Sequence, residues 1–172
     1  SPLRSTLRYL LWRPYWWSLP AKIQALDALV LLAPNGDDDR FDDARLARRL
    51  GVLTRVIPNG VAVATETTDA AGRCGLISVG AYTEVKGFDF VMRAYALSSA
   101  KNDVPLTLYG PSVTPYQGML AGLAGELGIR PGYLQMRVGI AGPELLAGYR
   151  VAQLFVGGSH TECQPLALLD AM

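Results

Sequence analysis

A chain of 172 residues is long enough for roughly one domain. With half its residues hydrophobic and 18% charged, it is too apolar for a disordered chain. A net charge of +1 lacks the basic excess of a nucleic-acid binder, and a single histidine excludes a multi-histidine metal site.

In chain order, the stretch from Leu3 to Leu19 is cationic and aromatic, with Arg4, Arg8, Arg13, Tyr9, Trp12, Tyr15, Trp16 and Trp17. Leu3, Leu7, Leu10 and Leu11 fit a helical face. Two readings stay open: a helix whose aromatics pack under a neighbouring domain, or peripheral contact with an anionic membrane. No stretch reaches the ~18 uninterrupted apolar residues that a transmembrane helix needs, and no signal-peptide pattern is present. Ser1 is not a natural start, so both ends read as fragment boundaries.

Asp27 to Ala33 reads as a buried strand that turns at Pro34-Asn-Gly36. Five aspartates between Asp37 and Asp43 give way to Arg45, Arg48 and Arg49, a charge order that suits a helix dipole. Their spacing does not match a calcium loop. Val52 to Ile57 reads as a second strand, closed by Pro58-Asn-Gly60, and the small, polar stretch from Thr65 to Arg73 as a linker.

From Cys74 onward the pattern is regular. Strands are expected at Gly75–Val79, Leu106–Tyr109, Leu134–Val138 and Leu154–Val156. Helices are expected at Gly87–Ser99, Tyr116–Leu127 and Pro143–Arg150, with another opening at Leu166–Met172. Short apolar strands alternating with amphipathic helices predict an α/β fold, a Rossmann-like parallel sheet with flanking helices. Cys74 and Cys163 lie in no metal-like spacing and read as reduced thiols of a cytoplasmic protein.

Ligands of such sheets sit beyond the carboxyl ends of the strands. Each of those ends carries glycine: Gly80 with Lys86 following, Gly110 before Pro111, Gly139 after Val138, and Gly157-Gly158 before Ser159 and His160. Lysine beside the amides of a helix start is an anion site in outline. Glu162 and Asp170 then stand eight positions apart, the first in a loop and the second in what reads as a buried apolar helix. Burying those carboxylates would cost several kcal/mol without partners, and a hydroxyl-rich ligand is the expected partner. The dinucleotide motif Gly-x-Gly-x-x-Gly is absent after the first of these strands, which sets aside a dehydrogenase or epimerase.

These residues resemble the retaining GT-B glycosyltransferases, the large group related to sucrose and glycogen synthases. Val56-Ile-Pro-Asn-Gly-Val61 is similar to the interdomain segment of that family. Ser78-Val-Gly-Ala-Tyr-Thr-Glu-Val-Lys-Gly-Phe-Asp89 is similar to its first donor-domain loop, and Ser159 to Met172 to its Ser-x-x-Glu and Glu-x7-Glu motifs. The resemblance covers Asp27 to Met172 and implies a partial GT-B fold. It divides the chain into 1–64, the tail of an acceptor-side domain plus the interdomain segment, 65–73, a linker, and 74–172, a truncated nucleotide-sugar-binding domain. It implies transfer, with retention, from a UDP-, GDP- or ADP-sugar to a glycan, lipid-linked or small-molecule acceptor, as in polysaccharide biosynthesis. Glu162 would be catalytic and would meet sugar hydroxyls. Donor binding would fall to Gly80, Lys86, Gly110, Val138, Gly139, Ser159, Glu162, Leu166 and Asp170. Lys86 would hold the diphosphate, Asp170 the ribose, amides near Leu166 the phosphate or sugar, and Val138-Gly139 would border the base. No metal or cofactor is expected.

The chain departs from the pattern at Ala81, where an Arg is usual, and at Asp170, where Glu is usual. A lost charge-assisted hydrogen bond is worth about 1.5–3 kcal/mol. The departures favour the alternative, a non-catalytic donor-domain module or partner subunit. The resemblance also implies an acceptor-side histidine region before Ser1 and closing helices after Met172. The fragment alone is therefore expected to bind donor weakly and transfer little.

Overall fold

The computed structural model describes residues 13–15, 17–32, 42–61, 70–140 and 142–172. The chain divides into two compact units, Ser1–Gly60 and Val61–Met172.

In the first unit, helix α1 (residues 17–24) precedes strand β1 (Ala28–Leu31), helix α2 (Asp42–Arg49) and strand β2 (Leu53–Val56). The strands pair in parallel from Ala28↔Leu53 to Leu31↔Val56. Parallel pairing requires a crossover element between strands, and α2 is that element. Ala44 and Ala47 of α2 are fully buried, and Arg48 and Arg49 lie in its last turn, where the helix dipole favours cations. At the amino end, the Arg13 guanidinium lies over the Trp17 ring, 4.5 Å from its centroid. The expectations for Leu3 to Trp12, Trp16, the Pro34–Gly36 turn, Asp37–Asp39 and most of the 65–73 linker fall outside the described residues.

The second unit follows βαβ order: β3 (Leu76–Val79), α3 (Phe88–Leu97), β4 (Leu106–Gly110), α4 (Pro115–Glu126), β5 (Leu134–Val138), α5 (Pro143–Val151), β6 (Leu154–Phe155) and α6 (Leu166–Asp170). All strand pairs are parallel, and the sheet order is β5-β4-β3-β6. The chain first steps outward from β3 to β4 to β5. It then returns past both strands to place β6 on the other side of β3.

Alternation along the strands supplies two apolar faces. Leu76, Leu106, Leu108, Leu134 and Met136 join the cluster formed with α3 and α4. Ile77, Val79 and Tyr109 turn the other way and pack with Leu145 and Tyr149 of α5. Helix α3 buries Phe88, Val91, Met92 and Tyr95, a stripe at helical spacing that faces the core. Full burial of one such side chain is worth about 1.5–3 kcal/mol. Between this stripe and the sheet lies an apolar cavity of about 250 Å³, bounded by Val91, Tyr95, Leu76, Leu106, Leu154 and Val156.

Candidate functional site

The sheet order decides where a ligand fits. In an open parallel sheet, the crevice opens where the order of strands reverses, because the loops on either side lead away in opposite directions. Here the reversal lies between β3 and β6. The loop after β3 carries Gly80 and Lys86, and the loop after β6 carries Ser159 and Glu162. Residues far apart in the sequence therefore meet at one end of the sheet.

Two contacts lock these loops together. A 3-10 turn at Glu84–Lys86 ends in Gly87, whose φ of 60° is left-handed and suits glycine. A Cβ on Gly87 would lie 2.0 Å from the Gly158 carbonyl oxygen, and one on Gly158 would lie 2.5 Å from the Gly87 oxygen. Neither position has room for a side chain. Beside them, the His160 N–H donates to the Val85 carbonyl at 2.9 Å.

The docking brings Lys86 Nζ to 2.5 Å from Glu162 Oε1. Both side chains are partly shielded, with 32% and 27% of their surface exposed. Burial pushes the Glu162 pKa up, but hydrogen bonds from Lys86 and Ser159, with the Lys86 charge, outweigh it and hold the carboxyl below its ordinary value. The aliphatic stem of Lys86 rests over Gly80, where an added Cβ would meet Lys86 Cγ at 3.3 Å.

The other strand ends are tied in through the backbone. The Gly80 N–H donates to the Tyr109 carbonyl, and the Gly139 N–H to the Gly110 carbonyl, both at 3.0 Å. Gly110 is pressed by the Tyr82 ring, 2.3 Å from the site of a Cβ. Gly139 has a φ of +72° and open space around it, and Val138, the last residue of β5, is half-buried.

Gly80, Lys86, Ser159 and Glu162 are thus brought together, with Gly110, Val138 and Gly139 lining the neighbouring strand ends. Leu166 and Asp170 occupy the two ends of α6. Burial, helped by the charge of Asp170, pushes the Tyr149 hydroxyl of α5 up to about 12. One expectation needs correction: α6 is not a buried helix. Asp170 is exposed, and Leu166 and Leu168 are 54% and 44% exposed. Short apolar runs in a sequence do not distinguish a covered helix from an uncovered one. Burial cost therefore does not explain Asp170, and Glu162 meets a lysine rather than an apolar wall.

Sequence reading missed three supports of the site. The Tyr82 hydroxyl shares its one proton between the carbonyls of Leu108 (2.9 Å) and Arg137 (3.1 Å), fastening the β3 loop to β4 and β5. Burial raises its pKa to about 12. The Tyr116 hydroxyl donates to Asp89 Oδ1 at 2.7 Å and joins the starts of α4 and α3. The third is the Gly87–Gly158 contact. An aromatic in a polar loop was the available signal for Tyr82; nothing local marks which glycines touch.

Among the described residues, no group of three or more His, Cys, Asp and Glu side chains is placed to hold a metal ion. Cys74 and Cys163 are free and exposed. No helix among the described residues is long and apolar enough to cross a membrane.

Neither protein-family profiles nor curated proteins match the chain. Solved structures do. The pneumococcal O-GlcNAc transferase GtfA, in complex with UDP and GlcNAc, is 17% identical with a TM-score of 0.63, over 90% of this chain and 30% of that one. TarM of S. aureus, in complex with Fondaparinux, alpha-GlcNAc-glycerol and UDP, is 15% identical with a TM-score of 0.66, over 88% and 29%. A trehalose-6-phosphate structure from E. coli, bound with UDP-2-fluoro glucose, is 15% identical with a TM-score of 0.68, over 92% and 45%. The chain spans less than half the length of each. At these identities the likeness establishes the fold: a parallel four-stranded sheet flanked by helices, matching part of the GT-B structures.

Proposed function

We propose that this chain forms part of a retaining glycosyltransferase and carries its nucleotide-sugar donor site. The observation that carries the reading is the meeting of Lys86 and Glu162 at the strand-order reversal, 2.5 Å apart. A lysine beside the start of α3 offsets diphosphate charge without a metal. A carboxylate beside it accepts hydrogen bonds from sugar hydroxyls. The glycine-lined ends of β3, β4 and β5 allow the ligand to approach the backbone. The fold supports the reading, since structures that share it hold UDP and sugars.

In this reading residues 1–64 are the tail of the acceptor-side domain, 65–73 the linker and 74–172 the donor-binding part. The donor is a UDP-, GDP- or ADP-sugar, and the acceptor a glycan, a lipid or a small molecule, as in cytoplasmic polysaccharide biosynthesis. Glu162 acts at the sugar, and Asp170 at the ribose. Exposed Trp17 and Tyr15, each with a cation over its ring, suit peripheral contact with an anionic membrane surface.

Calorimetric titration of UDP, GDP and ADP tests the donor site. One of them is expected to bind, and Lys86→Ala to abolish the heat. Absence of binding by all three at millimolar concentration would overturn the reading. Ala81 and Asp170 favour a second reading, a donor-domain module that binds nucleotide without transfer. Binding without turnover in the longest protein that contains this chain would support it.

A further inference from the structure

Lys86 is already neutralised by Glu162. Ser159 adds a hydrogen bond to the same carboxylate. The loop cannot easily carry Glu162 away, because the Gly87–Gly158 contact and the His160–Val85 hydrogen bond dock it onto the turn that holds Lys86. A diphosphate that takes Lys86 therefore strips a partner from a carboxylate that stays in place. Losing one partner of a shielded pair is costlier than forming the pair was favourable, because the remaining group keeps its desolvation penalty. Glu162 as a residue is exposed, so water can take the place of Lys86, but adjacent hydroxyls of a sugar supply two donors held together in one ligand.

We infer that Lys86 and Glu162 act as an exchange pair that selects ligands bearing a diphosphate and a sugar together over a diphosphate alone. The inference rests on the donor-site reading above. The exchange couples the two halves of the ligand. The sugar restores hydrogen bonds to Glu162, which lets Lys86 turn to the phosphate, and each half strengthens the other by the same factor. Once the sugar is gone, a nucleoside diphosphate offers Glu162 no hydroxyl there. The pair then closes again, which favours release.

The experiment titrates inorganic pyrophosphate by calorimetry into the wild type, Glu162→Gln, Lys86→Met and the double variant. Removing the competing carboxylate is expected to tighten pyrophosphate binding about tenfold, the scale of one charge-assisted hydrogen bond. The gain should vanish when Lys86 is also replaced. UDP, GDP and ADP are then compared with their glucose-bearing forms. The wild type should favour the sugar-bearing member of the pair that binds, and Glu162→Gln should lose that preference. Equal or weaker pyrophosphate binding by Glu162→Gln, with Lys86→Met still weakened, overturns the exchange and leaves the donor site standing. Binding that ignores Lys86 altogether, or is absent throughout, overturns the donor site. Glu162 lies in a loop outside every helix and strand, and Glu162→Ala serves the same test should the glutamine variant fail to fold.

Discussion

At the scale of single residues, Tyr82 holds the site's first loop by one hydroxyl. Its phenol donates to the Leu108 and Arg137 carbonyls inside the core. Tyr82→Phe removes the one proton that these carbonyls share, and should cost about 1–3 kcal/mol in urea denaturation. Glu162 and Asp89 give a pH dependence with a defined sign. The Tyr116 hydrogen bond holds Asp89 below its ordinary value of 3.8, and Glu162 lies below 4.5 despite its burial. A carboxyl depressed by folding binds fewer protons folded than unfolded. Its contribution is complete above the ordinary value and disappears as pH falls through the lowered one. Stability should therefore drop between about pH 5 and pH 3, and Asp89→Asn or Glu162→Gln should lessen the drop. Denaturation at the two pH values checks it; equal losses in variant and wild type would refute the assignment. Lys86 and Glu162 were both legible in the sequence, since a lysine after a strand-end glycine and an acid in a glycine-rich loop carry recognisable chemistry. Their pairing was not, because it depends on where β6 lies.

The elements themselves were largely legible. Strands β3 and β4 are largely apolar and β5 alternates apolar with polar residues, all bounded by glycine and turn residues, and α3 has a clear helical stripe. Strand order was hidden, because βαβ alternation specifies parallel pairing without saying on which side of β3 the last strand lies. The burial of α6 was misread because its leucines look like core and are exposed. Helix α4 shows another gap between composition and packing. Gly118, Gly122 and Gly125 lie in it, and an added Cβ at each meets nothing within 4 Å. These glycines have no packing duty, so Gly122→Ala should stabilise by about 0.5–1 kcal/mol through the smaller entropy of the unfolded chain. The docked loops predict the opposite. Gly158→Ala drives a methyl group into the Gly87 carbonyl and to 2.7 Å from Val91 Cγ2. It should destabilise by about 1–3 kcal/mol, the usual cost of overpacking. Paired denaturant curves for the two variants separate a permissive glycine from a required one.

For the whole molecule, the two units differ in what holds them. Val61–Met172 contains both apolar clusters of the sheet and every candidate site residue. Ser1–Gly60 offers a two-stranded sheet with Ile23, Ala44 and Ala47 as its buried hydrophobic residues among those described. An isolated pair of strands is marginal, so the units are expected to unfold in separate transitions rather than one two-state step. The sequence supplies the probe. Trp12, Trp16 and Trp17 are its three tryptophans, and all fall within positions 1–60 of the chain. Tryptophan emission therefore follows Ser1–Gly60, while far-ultraviolet dichroism is weighted toward α3, α4 and α5 of the second unit. A ligand that binds only the folded second unit raises that unit's stability by about 2.7 kcal/mol at a hundredfold excess over Kd. Pyrophosphate should accordingly move the dichroism transition to higher temperature and leave the tryptophan transition where it was. Equal shifts in both signals would mean that the units unfold together, and the separation argued from their cores would be wrong.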